Sequence, residues 1–115
     1  MPRLQPKNTR FIDTCYHRPT DCTPVWLMRQ AGRYQASYRS VRENVSFFEL
    51  CRNPDLATQV TVNAVRELGV DAAIIFSDIL VPVAAMGLPV ELTEKGPQIV
   101  KPVRERRDIE ALHLF

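Results

Sequence analysis

Two arginines four residues apart, Arg29 and Arg33, enclose Gln30-Ala31-Gly32 directly behind the apolar run Val25-Trp26-Leu27-Met28. Guanidinium groups offer planar, two-pronged recognition of carboxylate or phosphate, and a glycine lets a turn tighten or a ligand approach the backbone. The chemistry to expect is anion binding. A short apolar run of this kind predicts a strand buried on both faces, with its last side chains at a rim. On residue types alone the alternative is two solvated arginines in a surface loop, because basic side chains are mostly exposed. Further along, Ala72-Ala73-Ile74-Ile75-Phe76 is a second apolar run, ending in Ser77-Asp78. It reads as a second buried strand with a carboxylate at its end. Asp78 is either a site carboxylate or the N-cap of the helix that follows.

The elements that must position these groups are readable between and around them. Residues 1–23 carry Pro2, Pro6 and Pro19 and read as an irregular arm. Ala36 to Glu43 fits a short amphipathic helix, and Ser46-Phe47-Phe48-Glu49 matches a capping box that would start another through Cys51. Asn53 as N-cap and Pro54 at the first helical position open the clearest helix, with Leu56, Val60, Ala64, Val65 and Leu68 on one face and Gly69 closing it. A strand, helices and a strand in that order predict a right-handed crossover between parallel strands. In parallel sheets ligands gather at the carboxyl ends of strands, so the arginines and Asp78 are expected at one rim. Ile79 to Gly87 suggests a short helix interrupted by Pro82. Val90 to Thr93 and Gln98 to Val103 flank the turn Glu94-Lys95-Gly96-Pro97, a small edge hairpin, and Asp108 is placed to cap a last helix through Leu112.

Composition narrows the class only by exclusion. With 45% hydrophobic and 24% charged residues in 115, the chain is ordinary for one globular domain. A net charge of +2 without a Lys/Arg block speaks against a nucleic-acid partner, so anion binding must be local. No stretch approaches the roughly 20 apolar residues of a membrane span, and Met1 to Arg10 lacks the apolar centre of a secretory signal. A cytoplasmic location without membrane attachment is the expectation. Cys15, Cys22 and Cys51 are odd in number without Cys-x-x-Cys spacing, and His17 and His113 have no partner at metal-ligand spacing. No metal site is expected.

The segment Pro-Val-Trp-Leu-Met-Arg-Gln-Ala-Gly-Arg-Tyr from Pro24 to Tyr34, followed by Ala-Ala-Ile-Ile-Phe-Ser-Asp-Ile-Leu from Ala72 to Leu80, resembles the uroporphyrinogen decarboxylase family of haem biosynthesis. Phe47 to Pro54 and Lys95 to Pro97 share the resemblance, which covers the chain from about Phe11 onward. It implies an α/β fold, the N-terminal part of a (β/α)8 TIM barrel, and a lyase that removes carbon dioxide from the four acetate arms of uroporphyrinogen III to give coproporphyrinogen III. It also implies no metal or organic cofactor, a tetrapyrrole as the small-molecule partner, and a homodimer for the complete enzyme. By the same resemblance, substrate contacts fall on Arg29, Gln30, Ala31, Gly32, Arg33, Arg42 and Asp78. The catalytic roles fall on Asp78 and Arg29. One departure stands out: where the family usually continues Arg-Tyr-Leu-Pro-Glu, this chain has Arg33-Tyr34-Gln35-Ala36-Ser37.

A barrel of this class takes about 250 residues, and the family's later tyrosine, serine and histidine have no positions here. The expectation is therefore an N-terminal portion, 1–115, of a single barrel domain, inactive by itself. Two alternatives stay open from sequence. One is a non-catalytic remnant that binds an anionic tetrapyrrole or a partner chain, and the other is a barrel related to corrinoid methyltransferases.

Overall fold

Asn53 and Pro54 begin the longest helix, and the computed structural model, which describes residues 8–93 and 96–113, shows how. The Asn53 side-chain oxygen accepts from the backbone N–H groups of Asp55 and Leu56 at 3.0 and 3.2 Å. Proline at the first position gives up an N–H that would have had no helical partner. The helix runs Pro54–Leu68 and ends at Gly69, whose φ of 67° is left-handed backbone that suits glycine. Asn53→Ala is expected to lower stability by about 1 kcal/mol, read as a shifted urea midpoint at unchanged m value.

The chain divides into two compact units, residues 1–76 and 77–115. The first contains α1 (Arg10–Cys15), α2 (Ala36–Arg42), α3 (Phe47–Arg52) and α4 (Pro54–Leu68). The expected helices after Tyr34 and Ser46 are present, the latter with its capping box: Glu49 N–H donates to Ser46 Oγ at 3.2 Å, and Ser46 N–H donates to Glu49 Oε2 at 3.4 Å. The N-terminal arm is not wholly irregular, since α1 lies within it. Helices α2 and α3 both pack on α4. The core is Tyr38, Leu50 and Val60, with Ala31, Val41, Val45, Leu56 and Phe76 against it. Phe76 meets Tyr38 and Phe47 at ring-centroid distances of 5.5 and 5.8 Å. On α4 the buried positions are Ala57, Val60, Thr61 and Ala64, so the inward face is rotated slightly from the one predicted.

The two predicted strands, Val25–Met28 and Ala72–Phe76, form no strand ladder among the described residues: Met28 already lies in a turn, and the chain bends at Ala72 and Phe76. One backbone hydrogen bond, Asp71 N–H to the Val25 carbonyl at 2.8 Å, joins them. The rest of the fastening is by side chains. Gln30 Nε2 donates to the Ala72 carbonyl at 2.6 Å and its Oε1 accepts from Ile74 N–H at 3.0 Å. Thr61 Oγ1, on α4, accepts from Phe76 N–H at 2.8 Å and donates to the Ala57 carbonyl at 2.7 Å. A strand needs consecutive backbone partners, and here side chains occupy the places a neighbouring strand would take. The apolar side chains also lack the expected cover: Met28 is 77% and Ile75 78% exposed.

The second unit contains α5 (Val81–Ala85), an antiparallel pair β1 (Val90–Thr93) and β2 (Gly96–Ile99), and α6 (Arg106–Glu110). Pro82 does not interrupt α5, because it lies in the first turn, where a missing N–H breaks no helical bond. The hairpin is tighter than predicted. Its register pairs Thr93 with Gly96 and Leu92 with Pro97, so Gly96 and Pro97 belong to β2, while Glu94 and Lys95 lie outside the described residues. In a two-stranded sheet every strand is an edge, which is where proline is tolerated. Asp108 is not the N-cap of α6, which is Glu105. It sits three residues in and reaches back, accepting from Arg104 and Glu105 N–H at 2.9 Å each. Among the described residues no helix is long and apolar enough to cross a membrane.

Candidate functional site

The loop carrying the two arginines is braced at every turn. Tyr34 Oη donates to the Gln30 carbonyl, Gly32 N–H donates to Gln35 Oε1 at 3.2 Å, and Gln35 N–H returns to the Gly32 carbonyl at 3.0 Å. Arg39, from α2, donates to the Arg33 carbonyl at 2.8 Å. Gly32 leaves room for the ring: a β-carbon there would stand 3.2 Å from Tyr34 Cε1, so the exposed ring would have to give by a few tenths of an ångström. Gln35, where the chain departs from the usual family pattern, is therefore the residue that closes the turn. Its side chain is buried, with Nε2 left without a protein partner.

Against this fixed backbone, Arg29 and Arg33 are exposed, and neither guanidinium is engaged with another described residue. Ala31 is half-buried and packs on the core. Gln30 is 3% exposed, and its carboxamide is turned onto the chain's own backbone. Arg42 is placed differently from the loop arginines, with its guanidinium donating to the Val45 carbonyl and lying over the Phe47 ring at 5.9 Å. In the second unit Asp78 is half-buried, and its Oδ1 accepts from Leu80 N–H at 2.8 Å while its carbonyl accepts from Val81 N–H at 3.1 Å. It makes the turn ahead of α5 without being that helix's N-cap, which is Leu80.

Sequence reasoning passed over Asp71. Its Oδ2 accepts from Val25 N–H at 2.8 Å, and its Oδ1 accepts from Asn8 at 2.5 Å and from Arg10 at 3.3 Å. Arg10 in turn grips Asp21 through two contacts of 2.5 and 2.6 Å. An aspartate just ahead of an apolar run looks like a turn residue, and its partners lie 46 to 63 positions away. The Arg10 hydrogen bond holds the Asp21 carboxyl down to about 2, and Val25 N–H is the first cause lowering that of Asp71. A carboxylate lowered in the folded state stabilises it above the unfolded value near 4, and that contribution is lost as pH falls through the folded value. Acid titration is therefore expected to release α1 between about pH 4 and 2, seen as falling amide protection at Asp13 and Tyr16. Asp21→Asn should remove the Asp21 share of that pH dependence and leave the share of Asp13 and Asp71, whose carboxyls are also lowered.

A hydrogen-bonded turn that presents two guanidinium groups uncommitted among the described residues has the chemistry to meet carboxylates or phosphates, and it is carried on a mixed α/β scaffold. Comparison with known proteins narrows the class. The pattern of the family described as Uroporphyrinogen decarboxylase (URO-D) matches residues 6–115. The chain is 58% identical over 105 residues to "Uroporphyrinogen decarboxylase" of Myxococcus xanthus, covering 91% of this chain and 30% of that protein. It is 55% identical over 107 residues to the protein of the same name from Citrifermentans bemidjiense, covering 93% and 31%. For that of Syntrophotalea carbinolica the identity is 52% over 112 residues, covering 97% and 32%. The chain belongs to the uroporphyrinogen decarboxylase family, and it spans about 30% of the length of the curated relatives it matches.

Proposed function

We propose that this chain is the N-terminal portion of an enzyme that decarboxylates the four acetate arms of uroporphyrinogen III to give coproporphyrinogen III. The observation that carries the reading is the braced Arg29–Arg33 loop in a chain of this family. An octacarboxylate needs cations at fixed positions, and a preordered loop supplies them with little entropy left to lose on binding. Arg29 and Arg33 hold the carboxylate arms, and their charge steers the anion inward. The backbone of Gln30, Ala31 and Gly32 follows the substrate's edge, and Arg42 shapes that rim through Val45 and Phe47.

The chemistry requires an electron sink. Protonation of a pyrrole carbon makes the ring cationic, the bond between the acetate methylene and its carboxylate then breaks, and the electron pair returns to the ring as carbon dioxide leaves. A second proton completes the methyl group, and the proton first added to the ring carbon is lost, which restores the neutral pyrrole. Asp78 accepts hydrogen bonds from the pyrrole N–H groups and stabilises the cation as it develops. Arg29 serves the reaction first by orienting the arm that is lost. The complete enzyme works in the cytoplasm as a homodimer, without metal or organic cofactor. The test is turnover of uroporphyrinogen III by the full-length protein, followed by chromatography of the products and by carbon dioxide release. Four equivalents of carbon dioxide per coproporphyrinogen are expected, and failure to consume the substrate overturns the reading.

A further inference from the structure

A side-chain amide that both donates and accepts along one extended segment reproduces what a neighbouring strand does. In a parallel pairing, one residue donates to the carbonyl before its partner and accepts from the N–H after it. Gln30 does this to Ala73 with its side chain, donating to the Ala72 carbonyl at 2.6 Å and accepting from Ile74 N–H at 3.0 Å. Five residues earlier, Val25 and Asp71 are tied reciprocally: Val25 N–H to the aspartate Oδ2, and Asp71 N–H to the Val25 carbonyl, both at 2.8 Å. Between these ties the chain turns at Met28 and Arg29. The turn takes up the difference between five residues on one segment and one to three on the other.

From this we infer that Gln30 is a positioning residue, a strand surrogate that with Asp71 sets the register of the arginine loop against residues 71–74. Its carboxamide serves the substrate only through the placement of Arg29. The burial of Gln30 argues the same way, because a buried amide is stable only where its polar atoms are met. Gln30→Ala leaves the Ala72 carbonyl and Ile74 N–H without partners and lets the turn at Arg29 relax. Misplacement of a binding group by about 1 Å is enough to cost on the order of 100-fold in rate.

The inference rests on the reading of Arg29 as a substrate-holding group, and the experiment separates the two. In the full-length protein, Gln30→Ala and Gln30→Glu are compared with wild type by amide hydrogen exchange at Asp71 and Ile74 and by kcat and KM for uroporphyrinogen III across pH. A protonated glutamic acid donates and accepts as glutamine does, whereas the carboxylate cannot donate and repels the Ala72 carbonyl. The clamp therefore raises the carboxyl above its unfolded value. It is intact below that value and lost as pH rises through the folded one. Expected are a roughly 10- to 100-fold loss of kcat/KM for Gln30→Ala at every pH, and for Gln30→Glu a new fall in kcat/KM as pH rises, when the carboxylate still accepts from Ile74 N–H but repels the Ala72 carbonyl. A Gln30→Glu profile parallel to wild type overturns the inference, as does unchanged Ile74 protection in Gln30→Ala. Lost protection with unchanged kinetics also overturns it, and in that case wild-type kinetics in Arg29→Ala would show that the reading of Arg29 has failed as well.

Discussion

Asp78→Asn in the full-length protein is expected to lower kcat by about 10²- to 10³-fold with little change in KM. The substitution isolates charge from shape. Asp78 Oδ1 accepts from Leu80 N–H, and an asparagine oxygen can keep that bond, so the turn ahead of α5 survives. On the proposed mechanism the lost negative charge would matter in the transition state, where the ring becomes cationic, more than in the ground state, where it is neutral. A loss confined to kcat therefore identifies a transition-state role, and product formation under saturating uroporphyrinogen is the measurement. Wild-type turnover in Asp78→Asn would remove the residue from the chemistry. Asp78→Glu keeps the charge but displaces it, and should recover only part of the rate.

Arg29→Ala and Arg33→Ala are each expected to weaken substrate capture by about 10- to 100-fold, the scale of one charged hydrogen bond of about 1.5–3 kcal/mol. Both side chains are exposed and uncommitted among the described residues, so truncation removes little packing and the thermal midpoint should hold. The double variant should also lose much of the salt dependence of kcat/KM, because the steering charge has gone. Arg29→Lys separates orientation from proton delivery. A guanidinium is a poor proton donor near neutral pH, so the expected change is in KM. A collapse of kcat at unchanged KM would assign Arg29 the proton instead.

Local signals carried the helices. Ser46 with Glu49, Asn53 with Pro54, and Gly69 each act within one turn of the backbone, so their reading needs nothing from the rest of the chain. The apolar runs at 25–28 and 72–76 were a different matter. An apolar run states that a segment wants burial and extension, but a ladder depends on a neighbour that the run does not encode. Here the neighbour's place is taken by Gln30 and Thr61, residues whose types suggest surface or helix. Asp108 shows a subtler limit: its role as a capping group was visible, but a carboxylate can cap from inside the helix as well as from its start. For the candidate site, the arginines and Asp78 were proposed from residue type and place in the chain. The supports of the arginine loop, Asp71, Gln35 and Arg39, were not foreseen, because each acts on backbone atoms whose position only the folded chain defines.

The close approach of Gly32 to the Tyr34 ring has a consequence on the timescale of descent. Any side chain at position 32 pushes the ring, and the ring carries the hydroxyl that holds the Gln30 carbonyl. Positions 32 and 34 are thus coupled: a side chain at 32 requires the exposed ring at 34 to shift or be replaced, whereas the anchor at 30 is a backbone carbonyl that any residue supplies. Among descendants of a common ancestor, substitutions at 32 and 34 should be found together more often than either alone.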